Sequence, residues 1–204
     1  MNKNTMQLLI ATKNKGKIAE LEKLLGDLPV ELRSLNDFQN LPDVEETGKT
    51  FAENAALKAR IYAQQNDLWS LADDSGLEVA ALSGAPGVFS ARYAGENAND
   101  AANIEKLLRE LSKTEERRRD ARFVCAMAIA DNAGAIKFEA EGFCGGKIIS
   151  ERRGTNGFGY DPIFVPEGFA ETFAEISDAT KQQISHRGRA AAKIIQYLRH
   201  FIAV

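Results

Sequence analysis

The stretch LLIATKNKGKIAELEKLL, Leu8 to Leu25, decides the fold class. Leu8 to Ala11 is an unbroken apolar run and reads as a buried strand. From Lys15 onward Ile18, Leu21, Leu24 and Leu25 recur at helical spacing, and Gly26 supplies a stop signal. A buried strand feeding into an amphipathic helix is the opening of an α/β unit. The turn between them, Thr12-Lys13-Asn14-Lys15-Gly16-Lys17, holds three lysines in six residues. Amides at a helix N-terminus lack intrahelical acceptors and the helix dipole is positive there, so such a turn suits an anion. It is not a GxxxxGK[ST] loop, and an exposed basic turn explains the same residues.

Working outward, Val30 to Leu35 reads as a second strand. Thr50 to Gln65 reads as a long helix, opened by a capping box between Thr50 and Glu53. Leu68 to Ala72 is a strand that runs into Asp73-Asp74-Ser75-Gly76. Asp100 to Leu111 is a helix on Ile104, Leu107, Leu108 and Leu111. Phe123 to Ala130 and Ile136 to Phe143 are strands joined by the polar turn Asp131-Asn132-Ala133-Gly134, which predicts a hairpin. Lys147 to Ser150 extends that sheet, Pro162 to Val165 is a short strand, and Ser185 to Phe201 is a final helix with Ser185 as its N-cap. The predicted class is α/β, a mixed sheet flanked by helices.

At 204 residues, against a prior of ~150 per domain, the chain is one large domain or one domain with two lobes. Apolar residues at 44% and charged residues at 27% allow an ordinary core. The 26 basic and 29 acidic residues, net −3, argue against a general nucleic-acid binder but leave room for a local basic pocket. Cys125 and Cys144 make no disulfide framework and read as small buried hydrophobes. With His186 and His200 they show no zinc spacing. Lys113 to Asp120, KTEERRRD, reads as a solvated loop. Met1 to Gln7 is polar and too short for a signal peptide, and no apolar run approaches the ~20 residues of a membrane span. The expectation is a soluble, cytoplasmic protein with no membrane partner.

Five further segments can carry chemistry. Glu45-Glu46-Thr47-Gly48 is either solvated surface or a source of hard oxygen for Mg²⁺. On the Thr50 helix, Asn54 and Lys58 share a face, although Lys58 also reads as an ordinary surface lysine. Asp73 and Asp74 sit at the expected C-terminal end of a strand, where α/β sheets place ligands. One acid there can bind Mg²⁺ while the other takes a proton from water; the alternative is a polar turn. Gly154 to Pro162 contains three glycines between Gly154 and Gly159, with Phe158 and Tyr160 able to stack on a base, or else to fill a core. Lys181 and Ser185-His186-Arg187 bring donors to a helix start, suited to a purine O6 carbonyl rather than to the adenine amino group. No Ser or Cys nucleophile has a His partner at motif spacing.

In order, the chain carries Thr-Lys-Asn-x-Gly-Lys, Glu-Glu-Thr-Gly, Phe-x-Glu-Asn-Ala-x-x-Lys-Ala, Ala-Asp-Asp-Ser-Gly-Leu, Gly-Ala-Pro-Gly-x-x-Ser-Ala-Arg-Tyr, Gly-Phe-Gly-Tyr-Asp-Pro-x-Phe and Ser-His-Arg. This series closely resembles the inosine/xanthosine triphosphate pyrophosphatase family, from Leu8 to the final helix. The resemblance implies a single domain over residues 1–204, with an elongated mixed sheet and two lobes around a central nucleotide-binding cleft. It implies Mg²⁺-dependent hydrolysis of ITP, dITP and XTP to a nucleoside monophosphate and pyrophosphate, by a homodimer. It implies that Thr12, Lys13, Asn14, Lys15, Gly16 and Lys17 hold the triphosphate, and that Glu45 and Asp74 bind the metal, with Glu46 and Asp73 in support. Asp74 is then the general base, Ser75 touches substrate, and Lys58 neutralises charge near the phosphates. Phe158, Gly159, Tyr160 and Asp161, completed by Lys181, His186 and Arg187, form the nucleoside pocket. Two other functions fit the residues: a non-catalytic purine nucleotide sensor, and a related pyrophosphatase for modified pyrimidine nucleotides.

Overall fold

Apolar periodicity and capping residues translate directly into most elements. The computed structural model describes residues 5–38, 41–114 and 119–203. Its order is β1 (Met6–Ile10), α1 (Lys15–Leu25), β2 (Val30–Ser34), α2 (Phe51–Asn66), β3 (Trp69–Val79), α3 (Asp100–Leu111), β4 (Asp120–Ala130), β5 (Ile136–Ile148), β6 (Phe164–Pro166), α4 (Asp178–Ile184) and α5 (His186–Ala203). The strands form one sheet in the order β2-β1-β3-β4-β5-β6. β1 pairs in parallel with both β2 and β3, whereas β5 and β6 are antiparallel, so the sheet is mixed as expected.

The chain divides into two compact units. The first draws on Met1–Asp74, Cys125–Gly142 and Gly188–Val204. In it α1 lays Ile18, Leu21 and Leu25 on Leu8, Ile10 and Leu71 of the sheet, joined by Cys125, Met127, Ile194 and Leu198. The second draws on Ser75–Val124 and Phe143–Arg187. Its core collects Leu77, Ile104, Leu107, Leu111, Phe123, Ile163, Phe164 and Phe173. Phe123 meets Phe164 edge-on, with ring centroids 4.7 Å apart. β3, β4 and β5 contribute residues to both units. Cys125 and Cys144 are buried and form no disulfide. Among the described residues no helix is long and apolar enough to cross a membrane.

Three sequence expectations need correction. The strand expected to end at Ala72 continues to Val79, so Asp73 and Asp74 lie inside β3 and neither at its end nor in a turn. The extended backbone persists because apolar alternation resumes at Leu77 and Val79, both fully buried. Gly76 is needed there for proximity: a Cβ on it would lie 2.3 Å from Ser90 Oγ, in the 3₁₀ turn Gly87–Arg92. The two pieces expected at Ile136–Phe143 and Lys147–Ser150 are one strand of 13 residues, β5, through Gly145 and Gly146. Helix α4, only 7 residues long, is too short to show a period; Ser177 caps it by accepting from Thr180 N. Ser185 is the extended residue between α4 and α5: it is the C-cap of α4 and immediately precedes His186, the first residue of α5, at the position expected for that helix's N-cap. Of the Lys113–Asp120 loop, Asp120 opens β4 and residues 115–118 lie outside the described part, as do residues 1–4 of the polar start.

Adjacent glycines in β5 provide a test of close packing. A Cβ on Gly146 would stand 2.4 Å from Val165 O, whereas one on Gly145 meets only Glu167 Oε2 at 3.4 Å. Gly146→Ala is expected to lower unfolding free energy by about 1–3 kcal/mol, and Gly145→Ala by no more than about 0.5 kcal/mol, in urea titrations.

Candidate functional site

Strand alternation sends the adjacent acids of β3 to opposite faces, and each finds its own cation. Asp73 is fully buried and lies 3.3 Å from Lys17 Nζ, with Cys125 Sγ 3.8 Å from its second oxygen. Asp74, on the other face, accepts from Lys58 Nζ at 3.0 Å on Oδ1 and from Asn54 Nδ2 at 3.1 Å on Oδ2. The same Lys58 ammonium donates to Glu46 Oε1 at 2.6 Å. Asn54 Oδ1 in turn accepts from Gly48 N at 2.8 Å.

Local sequence dictates this placement. Thr50 Oγ1 accepts from Glu53 N, and Glu53 Oε2 accepts from Thr50 N and Lys49 N, so the predicted capping box fixes the start of α2. Asn54 and Lys58 then fall one turn apart on the buried face. Burial raises the Asp74 pKa above the ordinary carboxylate range, against the opposing pull of Lys58 and Lys17. For Lys58, burial pulls the pKa down, but the carboxylates of Asp74, Glu46 and Asp73 outweigh it and the net direction is upward. The ammonium is therefore held charged.

The lysine-rich turn behaves as a helix start. Asn14 Oδ1 accepts from Lys17 N, and Thr12 Oγ1 accepts from Asn14 N. Lys15 and Gly16 follow the cap, where amides have no intrahelical acceptor. Its three lysines do different work: Lys17 reaches Asp73, Lys13 pairs with Asp43 at 2.6 Å, and Lys15 is exposed. Glu45 is exposed, and the glutamate that reaches Lys58 is Glu46. Among the described residues no group of three or more His, Cys, Asp or Glu forms a ready-made metal cage. Glu46 and Asp74 nevertheless converge on one cation, the Lys58 ammonium. Two hard-oxygen side chains of this kind fit Mg²⁺, which takes one or two carboxylates and completes its shell with water and phosphate.

The second unit holds a different set. Asp161, 3% exposed, accepts from Phe158 N at 2.9 Å and from Lys181 Nζ at 2.7 Å through the same oxygen. Lys181 Nζ lies 5.2 Å from the Phe158 ring centroid and the Arg187 guanidinium 5.6 Å from it, so two cations address one aromatic face or its surroundings. Arg187 is buried and donates to Ser75 Oγ at 2.8 Å. Gly157, at φ +75°, permits the fold of this loop: a Cβ there would overlap Asp161 Oδ2 at 2.0 Å. Gly159 N donates to Asp100 Oδ2 at 2.7 Å. A surface cavity of about 440 Å³ in this unit, bordered by Lys147, Ile149, Arg153 and Val165, includes none of these residues.

Two residues of the expected pocket are buried within the second unit. Tyr160 is 4% exposed and donates its hydroxyl hydrogen to Ser90 O at 3.0 Å, so its ring belongs to the core. Burial also pushes its pKa up. Phe158, the other aromatic of the loop, is half-buried. His186 lies parallel to Phe123, with centroids 4.7 Å apart, and is 4% exposed. Sequence reasoning placed Asn54 on the correct face without a role and passed over Asp43 and Asp100. A polar, poor helix former inside α2 is the signal for Asn54. Asp100 gave none, because an acid in a first helical turn is explained by the dipole alone.

Fold and site together define a mixed-sheet α/β protein with a buried acid–lysine cluster in one unit and a cation-flanked aromatic loop in the other. A HAM1 protein from Coxiella burnetii has a similar structure, with a TM-score of 0.87 and 44% identity, covering 96% of this chain and all of that one. A dITP/XTP pyrophosphatase of Bacillus cereus is 50% identical over 192 residues, 94% of each chain. Another, from Syntrophobacter fumaroxidans, is 54% identical over 188 residues, 92% of this chain and 79% of that one. The model of the Ham1 family matches residues 8–197, and the chain belongs to that family.

The buried Asp161–Lys181 pair can be tested by itself. Removing one charge of such a pair costs about 3–5 kcal/mol because the other stays buried and uncompensated. Asp161→Asn is expected to lower stability on that scale in guanidinium unfolding, and Asp161→Glu by less.

Proposed function

We propose that this protein hydrolyses the non-canonical purine nucleotides ITP, dITP and XTP to nucleoside monophosphate and pyrophosphate, with Mg²⁺. The observation that carries the reading is the Asp74 carboxylate, buried in mid-strand, raised in basicity by burial and oriented by Lys58 and Asn54. The relatives named dITP/XTP pyrophosphatase support the substrate class.

In this reading the Thr12–Lys17 turn binds the triphosphate through its lysines and helix-start amides. Asp74 and a glutamate of the Glu45–Glu46 pair hold Mg²⁺; of the two, Glu46 already reaches the Lys58 ammonium that Asp74 shares. When bound, the metal would withdraw charge from the phosphate oxygens. Asp74 accepts a proton from the attacking water, the α–β anhydride bond breaks, and pyrophosphate carries away the bond's electron pair. Each carboxylate oxygen keeps a further lone pair beyond the one used by Asn54 or Lys58. Asp73 holds Lys17 rather than sharing the proton. Phe158 stacks on the base, while Lys181, His186 and Arg187 supply donors for a keto oxygen that adenine lacks. Ser75 contacts substrate beside Arg187. The chain acts as one domain, in the cytoplasm and as a homodimer; Phe89, 56% exposed, is an apolar surface available for pairing.

Pyrophosphate release measured in parallel on ITP, XTP, dUTP and ATP tests the reading, with ITP and XTP expected well ahead of ATP. Asp74→Asn is expected to lower kcat by about 10²–10⁴-fold, the usual worth of a general base. Binding of ITP by wild type without pyrophosphate release would instead establish a nucleotide sensor, and a lead for dUTP a pyrimidine enzyme. Arg187→Ala is expected to cut the ITP-over-ATP preference by about tenfold or more, the loss of one charged hydrogen bond. An unchanged ratio would remove Arg187 from base recognition.

A further inference from the structure

Asn54 joins two pieces of the acid cluster through one rigid amide. It is 1% exposed, in the interior of α2. An asparagine there gains nothing from helix propensity, which favours alanine by up to about 0.7 kcal/mol. Both ends of its side chain are used: Oδ1 accepts from the Gly48 backbone at 2.8 Å, and Nδ2 donates to Asp74 Oδ2 at 3.1 Å. Aspartate keeps the acceptor but loses the donor, alanine loses both, and glutamine is one methylene too long. Gly48 is fitted to the same contact. A Cβ on it would stand 2.6 Å from Asn54 Oδ1 and 2.8 Å from Glu53 Cβ. Lys58 also spans the acidic turn and Asp74, but its ammonium sits on a flexible stem and follows the carboxylates rather than setting their spacing.

We propose that Asn54 is a positioning residue that holds the Glu45–Gly48 turn and the Asp74 carboxylate at one fixed separation, so that both present their oxygens to the same cation. The proposal rests on the pyrophosphatase reading, and it assigns to Asn54 the spacing on which that chemistry depends. A group that orients a metal-binding carboxylate typically governs about 10–100-fold in metal affinity or activity.

The test compares Asn54→Asp, Asn54→Ala and Gly48→Ala with wild type. Gly48→Ala removes no charged group and crowds the contact, together with Glu53 Cβ beside it. Three readouts are taken: dITP hydrolysis over a Mg²⁺ titration, Mn²⁺ binding by electron paramagnetic resonance with α,β-methylene-dITP, and amide hydrogen exchange of the Glu45–Gly48 turn. Each variant is expected to lower kcat and weaken Mn²⁺ binding by about tenfold or more, with KM for dITP within about threefold of wild type. Exchange in the turn is expected to speed up in Asn54→Ala and Gly48→Ala but not in Asn54→Asp, which keeps the acceptor. Folded Asn54→Asp and Gly48→Ala proteins with wild-type kcat and Mn²⁺ affinity would overturn the proposal. So would an Asn54→Ala protein that loses only melting temperature. If wild type releases no pyrophosphate while Mn²⁺ binding still falls in the variants, the enzymatic reading fails and the positioning role stands.

Discussion

One ammonium group makes two withdrawn acids of the first unit tolerable. Lys58 Nζ lies 2.6 Å from Glu46 and 3.0 Å from Asp74, and all three side chains are largely withdrawn from water. Removing an ion from water costs several kcal/mol even after relaxation, so no one of these charges would be tolerated there alone. The cluster as a whole sets two cations, Lys17 and Lys58, against three carboxylates, Glu46, Asp73 and Asp74.

β3 makes this arrangement possible because a strand has a period of two. Asp73 and Asp74 would repel if they faced one volume, but the pleat separates them. One serves Lys17 and the helix start, the other serves α2 and the acidic turn. The next residue, Ser75, receives Arg187 in the second unit. A single extended segment thus brings residues of both units into consecutive positions.

In the second unit the same economy of charge recurs. Asp161 compensates buried Lys181 and at the same time caps the Phe158 amide, so the cation and the aromatic ring are fixed by one carboxylate. Arg187 approaches the same ring from α5. Positive donors around a half-buried ring suit an electron-rich, carbonyl-bearing base better than an amino-bearing one, which is the selectivity the proposed substrates require.

The sequence by itself determined the α/β class, the mixed sheet, the range of α1 and the capping box of α2. Each depends on neighbours three or four residues apart, or on alternation within a strand, and such local forces are written in the order of residues. It also singled out Asp73, Asp74, Lys58, Phe158 and Lys181, because charged and aromatic residues in motif spacing stand out in an apolar context. Only the tertiary structure decided how they divide their work. That Asp73 and Asp74 face apart, that Glu46 rather than Glu45 reaches Lys58, that Tyr160 is core and that Asn54 and Asp100 are anchors all depend on partners between 12 and 70 residues away in the chain. Desolvation and hydrogen-bond satisfaction act on atoms once they are packed, and packing brings together residues that sequence spacing keeps apart.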